Sequence, residues 1–207
     1  MTGRFVVVEG GDGSGKSTQL TRLVHALRAH ELDVVATFEP GGTQAGAAIR
    51  ELVLHGEEPV TPVAEALLMA ADRAQHVAEV VRPALDAGRW VVSDRFVPSS
   101  LVYQGVVRGV GVEVIDAVNR LAVEAAPPDV VVVLDVPEEV IARRRAAPGD
   151  RLEAEGESFH AAVRAAYREL ARARSWVLVD GSGPVDDVAA AVWAAVAPHL
   201  DAHLEEG

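Results

Sequence analysis

A ten-residue stretch, EGGDGSGKST at positions 9–18, contains residue types that bind phosphate groups. Its glycines, lysine and serine satisfy the pattern G-x-x-x-x-G-K-[ST], directly after an apolar run and directly before an amphipathic segment. Such a loop points backbone N–H groups and a helix N-terminus at a phosphate chain, and its lysine contacts the β- and γ-phosphate oxygens. The pattern predicts a nucleoside triphosphate site formed by Gly10, Gly11, Asp12, Gly13, Ser14, Gly15, Lys16, Ser17 and Thr18.

Lys16 is the only lysine among the 19 basic residues of the chain, which otherwise uses arginine. A compact ammonium fits among phosphate oxygens, whereas the guanidinium fork of arginine is wider, so the two are not interchangeable at this position. A glycine-rich turn without a ligand is the alternative. The glycines at 11, 13 and 15 do not indicate a dinucleotide-binding loop, because that fingerprint has no place for the lysine.

Asp94 and Arg95 form a second polar group, at the end of the apolar run RWVVSDR. Open α/β folds bind ligands at the carboxyl ends of their strands. There Asp94 could reach Mg²⁺ or its waters, the Ser17 hydroxyl could bind the same ion, and Arg95 suits a second phosphate. An ordinary ion pair that caps a strand is the alternative.

Ser100, Tyr103 and Gln104 have the spacing i, i+3 and i+4, which places them on one face of a helix. Their polar groups and the aromatic ring could hold a heterocycle, since glutamine carries both a donor and an acceptor. A helix start with a half-buried tyrosine would have the same residues. The sequence leaves both interpretations open.

The elements that must position these residues alternate along the chain. Short Val-rich runs indicate parallel strands buried on both faces: RFVVVEG, DVVATFEP, RWVVSDR, PDVVVVLDV and SWVLVDG. Apolar residues at helical spacing indicate crossover helices: Leu20, Leu23, Val24 and Leu27; Val63, Leu67, Ala70, Ala71 and Val77; and Val188, Val192, Val196 and Leu200. The order predicts an α/β fold with helices on both faces of a parallel sheet.

Composition limits the classes of protein to which the chain can belong. Its 207 residues, 49% of them hydrophobic, suffice for one core, so we expect a single domain over residues 1–207. We expect a cytoplasmic protein, because no apolar run could span a membrane and MTGRFVVVEGG is not a cleavable leader. Without cysteine, disulfides and thiolate chemistry are excluded. The net charge of −12 argues against nucleic acid and anionic membranes as partners.

Taken in order, five segments closely resemble the motifs of bacterial thymidylate kinases. They are EGGDGSGKST, EPGGT at 39–43, AADRAQHV at 70–77, SDRFVPSSLVYQG at 93–105 and GDRLEAEGESF at 149–159. The resemblance covers nearly the whole chain, and the ordered set is more specific than any one motif. It implies a P-loop NTPase fold with a five-stranded parallel sheet and a small mobile lid near residues 143–158. It also implies a homodimer that transfers the γ-phosphate of ATP, with Mg²⁺, to dTMP to give dTDP.

The resemblance also implies roles for individual residues. Asp12 resembles the P-loop acid near the acceptor's sugar and metal, Arg50 and Arg95 resemble the arginines at the acceptor phosphate, and Arg143 would contact ATP. Gly13 stands where some members carry arginine, so the chain resembles the subgroup with a catalytic lid arginine, here Arg151. The remaining residues expected at dTMP are Glu39, Met69, Arg73, Ser100, Tyr103 and Gln104, and the expected catalytic set is Asp12, Lys16, Arg95 and Arg151.

Met69 departs from the many relatives that have an aromatic residue stacked on thymine at this position. Methionine can lie against a base through its polarizable sulfur, or it can fill the core. Base selectivity is therefore less firmly predicted than phosphate chemistry.

Other functions remain open at this stage. They are a kinase for another nucleoside monophosphate or for a deoxynucleoside, a nucleotide-dependent switch, and a non-catalytic protein. A guanine-reading N-K-x-D segment is absent, because Lys16 is the only lysine. Transfer to a phosphate needs no histidine or aspartate base, since that acceptor oxygen is already anionic. We interpret the seven histidines as solvated or incidental.

Overall fold

The structure is a computed structural model that describes residues 3–56, 58–144 and 157–200. Within these ranges, five strands form one parallel sheet in the order β2-β3-β1-β4-β5. Their bounds are β1 Phe5–Gly10, β2 Val34–Phe38, β3 Trp90–Asp94, β4 Val130–Asp135 and β5 Val177–Asp180. Each strand coincides with one of the Val-rich runs, so the predicted parallel sheet is confirmed.

Helices connect the strands and cover the sheet. In the described ranges they are α1 Lys16–Ala29, α2 Gln44–Arg50, α3 Pro62–His76, α4 Arg82–Asp86, α5 Val97–Ser100, α6 Val112–Ala125, α7 Glu138–Arg144, α8 Glu157–Arg174 and α9 Val185–Val196. Helices α2, α3 and α5 continue into π-helical turns at Glu51–His55, Val77–Val81 and Leu101–Val107. None of these described helices has the length and apolar composition needed to cross a bilayer.

Strand β1 lies at the centre of the sheet and is buried on both faces. Phe5 and Val7 pack into a cluster with residues of α3, α6 and α8, whereas Val6 and Val8 pack into a second cluster with residues of α1 and α9. This alternation follows from the two-residue period of a strand. The predicted arrangement of helices on both faces is therefore confirmed.

Helix α3 buries a polar face, which differs from the apolar pattern in its sequence. Glu65, Arg73 and His76 are buried, whereas Val63 and Leu67 are 58% and 53% exposed. Burial of these polar groups is tolerated because each has hydrogen-bond or ionic partners inside the protein. The interpretation of every histidine as solvated or incidental is wrong for His76.

The carboxyl ends of three adjacent strands meet at one edge of the sheet. Gly10 ends β1, Glu39 directly follows β2, and Asp94 ends β3. Because parallel strands all point the same way, the segments that follow them converge here. This edge holds the candidate active site.

Candidate active site

The loop between β1 and α1 has the backbone of a phosphate-binding loop. Gly10 and Gly15 adopt φ angles of +142° and +92°, which residues other than glycine rarely adopt. A Cβ atom on Gly10 would also lie 2.8 Å from the carbonyl oxygen of Leu134. Gly15 is the N-cap residue of α1, and no side chain caps the helix there. The first N–H groups of the helix are therefore available to an anion.

Lys16 extends back over this loop. Its Nζ donates to the carbonyl oxygen of Gly11 at 3.1 Å and lies 3.9 Å from Asp12 Oδ1. Burial is the largest influence and lowers the pKa of Lys16, and the nearby Arg95 lowers it further, against the opposing effect of the nearby carboxylates. Among the described residues, the nearest carboxylate oxygen lies 3.9 Å from this ammonium, which leaves its charge for a phosphate.

Asp12 pairs with Arg95 above the loop. Arg95 Nη2 donates to Asp12 Oδ1, and the Tyr103 hydroxyl donates to Asp12 Oδ2 at 3.0 Å. Burial alone would raise the pKa of Asp12, but Arg95 and Lys16 hold that pKa well below its ordinary value. Arg95 has a φ angle of +70°, a conformation that non-glycine residues seldom adopt and that concentrates at functional sites.

Glu9 fixes the segment that carries Arg95. Its carboxylate is fully buried and accepts hydrogen bonds from Phe96 N at 2.8 Å, Ser99 Oγ at 2.7 Å and Tyr167 Oη at 2.7 Å. Burial raises the pKa of Glu9, although Arg95 and these donors oppose the rise. Tyr167 belongs to α8, so Glu9 joins three separate parts of the chain around Arg95.

Arg73 lies at the other end of the site and is held on three sides. Its Nε donates to Glu39 Oε2 at 2.8 Å, and its Nη1 donates to Ser100 Oγ at 3.2 Å and to Asn119 Oδ1 at 2.6 Å. Arg73 and Glu39 are both almost fully buried. The guanidinium plane is therefore fixed before any ligand binds, and Nη2 is left for one.

His76 supports the same carboxylate. Its Nδ1 lies 2.8 Å from Glu39 Oε1, and its Nε2 lies 2.6 Å from Thr37 Oγ1. Each ring nitrogen thus has one partner, which fixes the orientation of the imidazole. His76 holds Glu39 in place, and Glu39 in turn holds Arg73.

One cavity of about 820 Å³ joins these two groups of residues. We call the part at Lys16 and Ser17 the loop end and the part at Arg73 and Gln104 the Arg73 end. The cavity is lined by these predicted residues: Asp12, Gly13, Gly15, Lys16, Ser17, Thr18, Glu39, Arg50, Met69, Arg73, Asp94, Arg95, Ser100, Tyr103 and Gln104. The fold thereby brings together residues from five separated segments of the chain.

Comparison with known proteins assigns this arrangement to a family. The family model described as thymidylate kinase matches residues 8–192. The chain belongs to the thymidylate kinase family. It is 44% identical to the thymidylate kinase of Prochlorococcus marinus (strain MIT 9313) over 97% of this chain and 96% of that protein. It is 48% identical to that of Leifsonia xyli subsp. xyli over 92% of each chain, and 43% identical to that of Halothermothrix orenii over 91% and 93%.

Arg50 also lines the cavity in this member of the thymidylate kinase family. Its Nη1 donates to the carbonyl oxygen of Pro40 at 2.9 Å, and its guanidinium carbon is 5.9 Å from the centroid of the Phe38 ring. A half-buried arginine oriented in this way retains donors for an anion. Met69 is buried at the Arg73 end, where Leu54 also lines the cavity.

The residues present fit a magnesium ion bound together with a nucleotide. Ser17 Oγ donates to Asp94 Oδ2 at 3.3 Å, and Asp94 Oδ1 is buried without a hydrogen-bond partner among the described residues. A buried carboxylate oxygen without a partner suits a cation or its waters. The described residues contain no cluster of three or more acidic, histidine or cysteine side chains, so phosphates and water would complete the coordination.

The arginines of the expected lid are only partly described. Arg143 is exposed near the end of α7 and does not line the cavity, whereas the neighbouring Arg144 does. Arg144 Nη2 donates to the carbonyl oxygens of Gly181 at 2.9 Å and Ser182 at 3.2 Å. Arg151 lies outside the described residues. Gly10, Gly11 and Ser14 belong to the loop but do not line the main cavity.

The buried residues that support the ligand-facing ones were not predicted from the sequence. They are Glu9, Glu65, His76, Ser99, Asn119 and Tyr167. One signal was available for Glu9, because a charged residue ends the otherwise apolar run FVVVE. The others have little local signal, since the contacts through which they support the site join residues 37 to 158 positions apart in the chain.

Proposed function

We propose that this protein is a thymidylate kinase, which transfers the γ-phosphate of ATP to the 5′-phosphate of dTMP and yields ADP and dTDP. The observation that supports this most is the single cavity, which has a triphosphate-binding loop at one end and a fixed arginine–glutamine pair at the other. Membership of the thymidylate kinase family supports the same substrates. A kinase for a different acceptor, or a nucleotide-dependent switch, is not favoured by these relatives.

ATP binds at the loop end in this proposal. Backbone N–H groups from Gly10 to Thr18 surround the phosphates, and Lys16 places its ammonium at the β- and γ-phosphate oxygens. Ser17 and Asp94 hold Mg²⁺, which supplies charge neutralisation at the phosphates when it is bound. Arg144 is the described arginine of α7 that lines the cavity near this loop, while Arg143 remains a proposed contact.

The acceptor dTMP extends from the middle of the cavity to the Arg73 end. Arg95 and Arg50 bind its 5′-phosphate, and Tyr103 lies against the sugar, where a 2′-hydroxyl would crowd its ring. Asp12 orients Arg95 through the hydrogen bond from Nη2. The thymine contacts are Arg73, Ser100 and Gln104 at its polar edge, with Met69 against its face and Glu39 behind Arg73.

The transfer step needs alignment and charge rather than a base. An oxygen of the dTMP phosphate, already anionic near neutral pH, attacks the γ-phosphorus of ATP. The bond from that phosphorus to the bridging oxygen breaks, and the electron pair leaves with ADP. Lys16 and Arg95 neutralise the charge of the two polyanions and hold them in line, which is where most catalysis of phosphoryl transfer originates.

We also propose a lid near residues 143–158 within a single kinase domain over residues 1–207. Gly13 leaves no arginine at that position of the P-loop, so Arg151 would supply the remaining positive charge at the transferred phosphoryl group. Closure over the cavity would exclude water and limit ATP hydrolysis. ATP and dTMP are both cytoplasmic metabolites, so we propose the cytoplasm as the location.

An exposed apolar surface on α3 and α6 supports a homodimer. Helix α3 packs against α6, and both present apolar side chains to solvent. Val63, Leu67 and Val114 are 58%, 53% and 48% exposed, and Leu121 is 86% exposed. Apolar surface of this kind is typical of contacts between subunits. Leu121→Glu should convert a dimer to a monomer in light scattering, and a wild-type protein that is monomeric at micromolar concentration would contradict the proposal.

A coupled assay of ADP formation tests the proposed function. The assay supplies ATP and Mg²⁺ with dTMP, dUMP, dGMP or AMP as the acceptor. We expect dTMP to give the highest kcat/KM. Slow ATP hydrolysis that no monophosphate accelerates would instead indicate a switch, and preference for a purine monophosphate would indicate a different kinase.

A further inference from the structure

Glu65 is a buried residue of α3 whose carboxylate accepts a hydrogen bond from Gln104, and Gln104 lines the Arg73 end of the cavity. We propose that Glu65 determines which edge of a pyrimidine the site accepts, because it fixes the orientation of the Gln104 side-chain amide. This inference rests on the proposed function, since it assumes that a base occupies the Arg73 end. Glu65 acts through Gln104 and is thus a positioning residue.

In the hydrogen bond between Gln104 and Glu65, the Gln104 amide is the donor. Gln104 Nε2 donates to Glu65 Oε1 at 2.9 Å, and both residues are at least 98% buried. An ionised carboxylate only accepts hydrogen bonds, so the amide nitrogen must face it. The flipped amide would set two oxygens against each other without a proton between them. Arg108 Nε lies 3.9 Å from the same Oε1 and balances the buried charge.

With its nitrogen directed at Glu65, Gln104 presents its carbonyl oxygen as the group left for a ligand. The Gln104 side chain lines the cavity, and Arg73 lines it too with Nη2 available after Nε and Nη1 have bound Glu39, Ser100 and Asn119. The cavity thus offers one fixed donor and one fixed acceptor. Neither group can exchange its role without breaking a buried hydrogen bond.

This pair matches one kind of pyrimidine edge and opposes the other. Thymine and uracil carry an acceptor at O4 and a donor at N3–H, which complement Arg73 and the Gln104 oxygen. Cytosine carries a donor at N4 and an acceptor at N3. Its N4 donor would face the Arg73 donor, and its N3 acceptor would face the Gln104 oxygen. A site built to hydrogen-bond a ligand rejects a ligand that leaves buried polar groups unpaired.

The substitution Glu65→Gln tests the proposal, since glutamine has nearly the same size but offers both a donor and an acceptor. Gln104 could then turn its amide either way. The assay measures kcat/KM for dTMP, dCMP and dUMP with saturating ATP. We expect the preference for dTMP over dCMP to fall about tenfold. The preference for dTMP over dUMP should stay within about twofold, because these two bases share the same polar edge.

A double-mutant comparison shows whether Glu65 acts through Gln104. In a Gln104→Ala background, Glu65→Gln should cause no further change in the dTMP-to-dCMP ratio. Equal loss of that ratio in both backgrounds would overturn the proposal, as would an unchanged ratio in the single variant. If Glu65→Gln does not fold, Glu65→Asp is the second variant. Its shorter side chain keeps a carboxylate beside Arg108 but no longer reaches Gln104, so the same fall in the dTMP-to-dCMP ratio is expected.

The wild-type protein separates this inference from the proposed function. Wild-type turnover of dTMP in the same assay establishes the function by itself. If the wild type phosphorylates dTMP and Glu65→Gln leaves the dTMP-to-dCMP ratio unchanged, the inference fails while the function stands. If the wild type does not phosphorylate dTMP, both fail.

Discussion

At the loop end of the cavity, most of the lining groups come from one short stretch of chain, whereas at the Arg73 end they come from side chains of separate elements. Residues 12, 13 and 15–18 line the first. Arg73 in α3, Ser100 in α5 and Gln104 in the following π-helical turn form the second, with Glu39 and Asn119 behind them. A phosphate chain can be bound by backbone amides, but the edge of a base requires side chains in fixed positions.

The two ends also differ in how their charges are balanced. Lys16 is buried with no carboxylate closer than 3.9 Å in the part of the chain that the structure describes, and its lowered pKa reflects that burial. Arg73 has a close carboxylate partner and two further acceptors inside the protein. The Lys16 ammonium is therefore available to a ligand, whereas most of the Arg73 donors bind groups of the protein and stabilise the fold. Changes at the first should affect chemistry, and changes at the second should affect both chemistry and stability.

Lys16→Ala should have the largest effect on activity. We expect kcat/KM for dTMP to fall by about 10³-fold or more, because the charge at the β- and γ-phosphates is lost. The melting temperature should remain close to that of the wild type, since Asp12 keeps Arg95 as a partner. Lys16→Arg is the matched variant, and it should also be strongly impaired. Full activity of Lys16→Ala would show that the triphosphate binds elsewhere.

Arg73→Ala should have the largest effect on stability. Removal of the guanidinium leaves the buried Glu39 carboxylate and the Asn119 carbonyl without this partner, at a cost of about 3 to 5 kcal/mol in the free energy of unfolding. Urea denaturation of this variant beside Lys16→Ala makes the comparison directly. Equal stability of the two variants would contradict the proposed difference between the ends.

Arg151→Ala should lower kcat less than Lys16→Ala lowers kcat/KM, and it should not affect substrate binding. We expect kcat to fall about 10- to 100-fold while the dissociation constant of dTMP changes little, because in the proposed mechanism the arginine acts on the transferred phosphoryl group. Arg172→Ala, which removes an exposed arginine of α8, is the control and should leave kcat unchanged. An unchanged kcat in Arg151→Ala would remove this residue from the mechanism.

Asp12→Asn should have a smaller effect on stability than Arg73→Ala, and that effect should depend on pH. The pKa of Asp12 is lowered in the folded protein, so its contribution to stability is present above the ordinary pKa near 4 and is lost as the pH falls further. Hydrogen bonds to a charged group contribute about 1.5 to 3 kcal/mol. The difference in unfolding free energy between wild type and variant should be constant from pH 5 to 8 and shrink below pH 4. A difference that grows on acidification would contradict this assignment.

The loop end could be predicted from the sequence almost completely, because its groups are contiguous. The pattern G-x-x-x-x-G-K-[ST] fixes their order, and the flanking strand and helix fix their direction. Asp94 and Arg95 could be placed as well, since they end a strand next to β1. The sheet followed from the same Val-rich runs that bury both faces.

The Arg73 end could be predicted only in part. Motif order pointed to Arg73 and Gln104, but not to the buried network that fixes them. Glu65 and His76 lie on the face of α3 that helical spacing of apolar residues assigns to solvent. Their burial depends on partners 37 and 39 residues away, and periodicity carries no information on such pairs.

In the proposed function, one cavity holds ATP and dTMP end to end. Isothermal titration with a bisubstrate, in which adenosine and thymidine are joined 5′ to 5′ through five phosphates, tests this arrangement. We predict that the bisubstrate binds at least about 100-fold more tightly than either ATP or dTMP, because one molecule then fills both ends. Binding no tighter than that of ATP alone, or binding that dTMP does not compete with, would contradict the account.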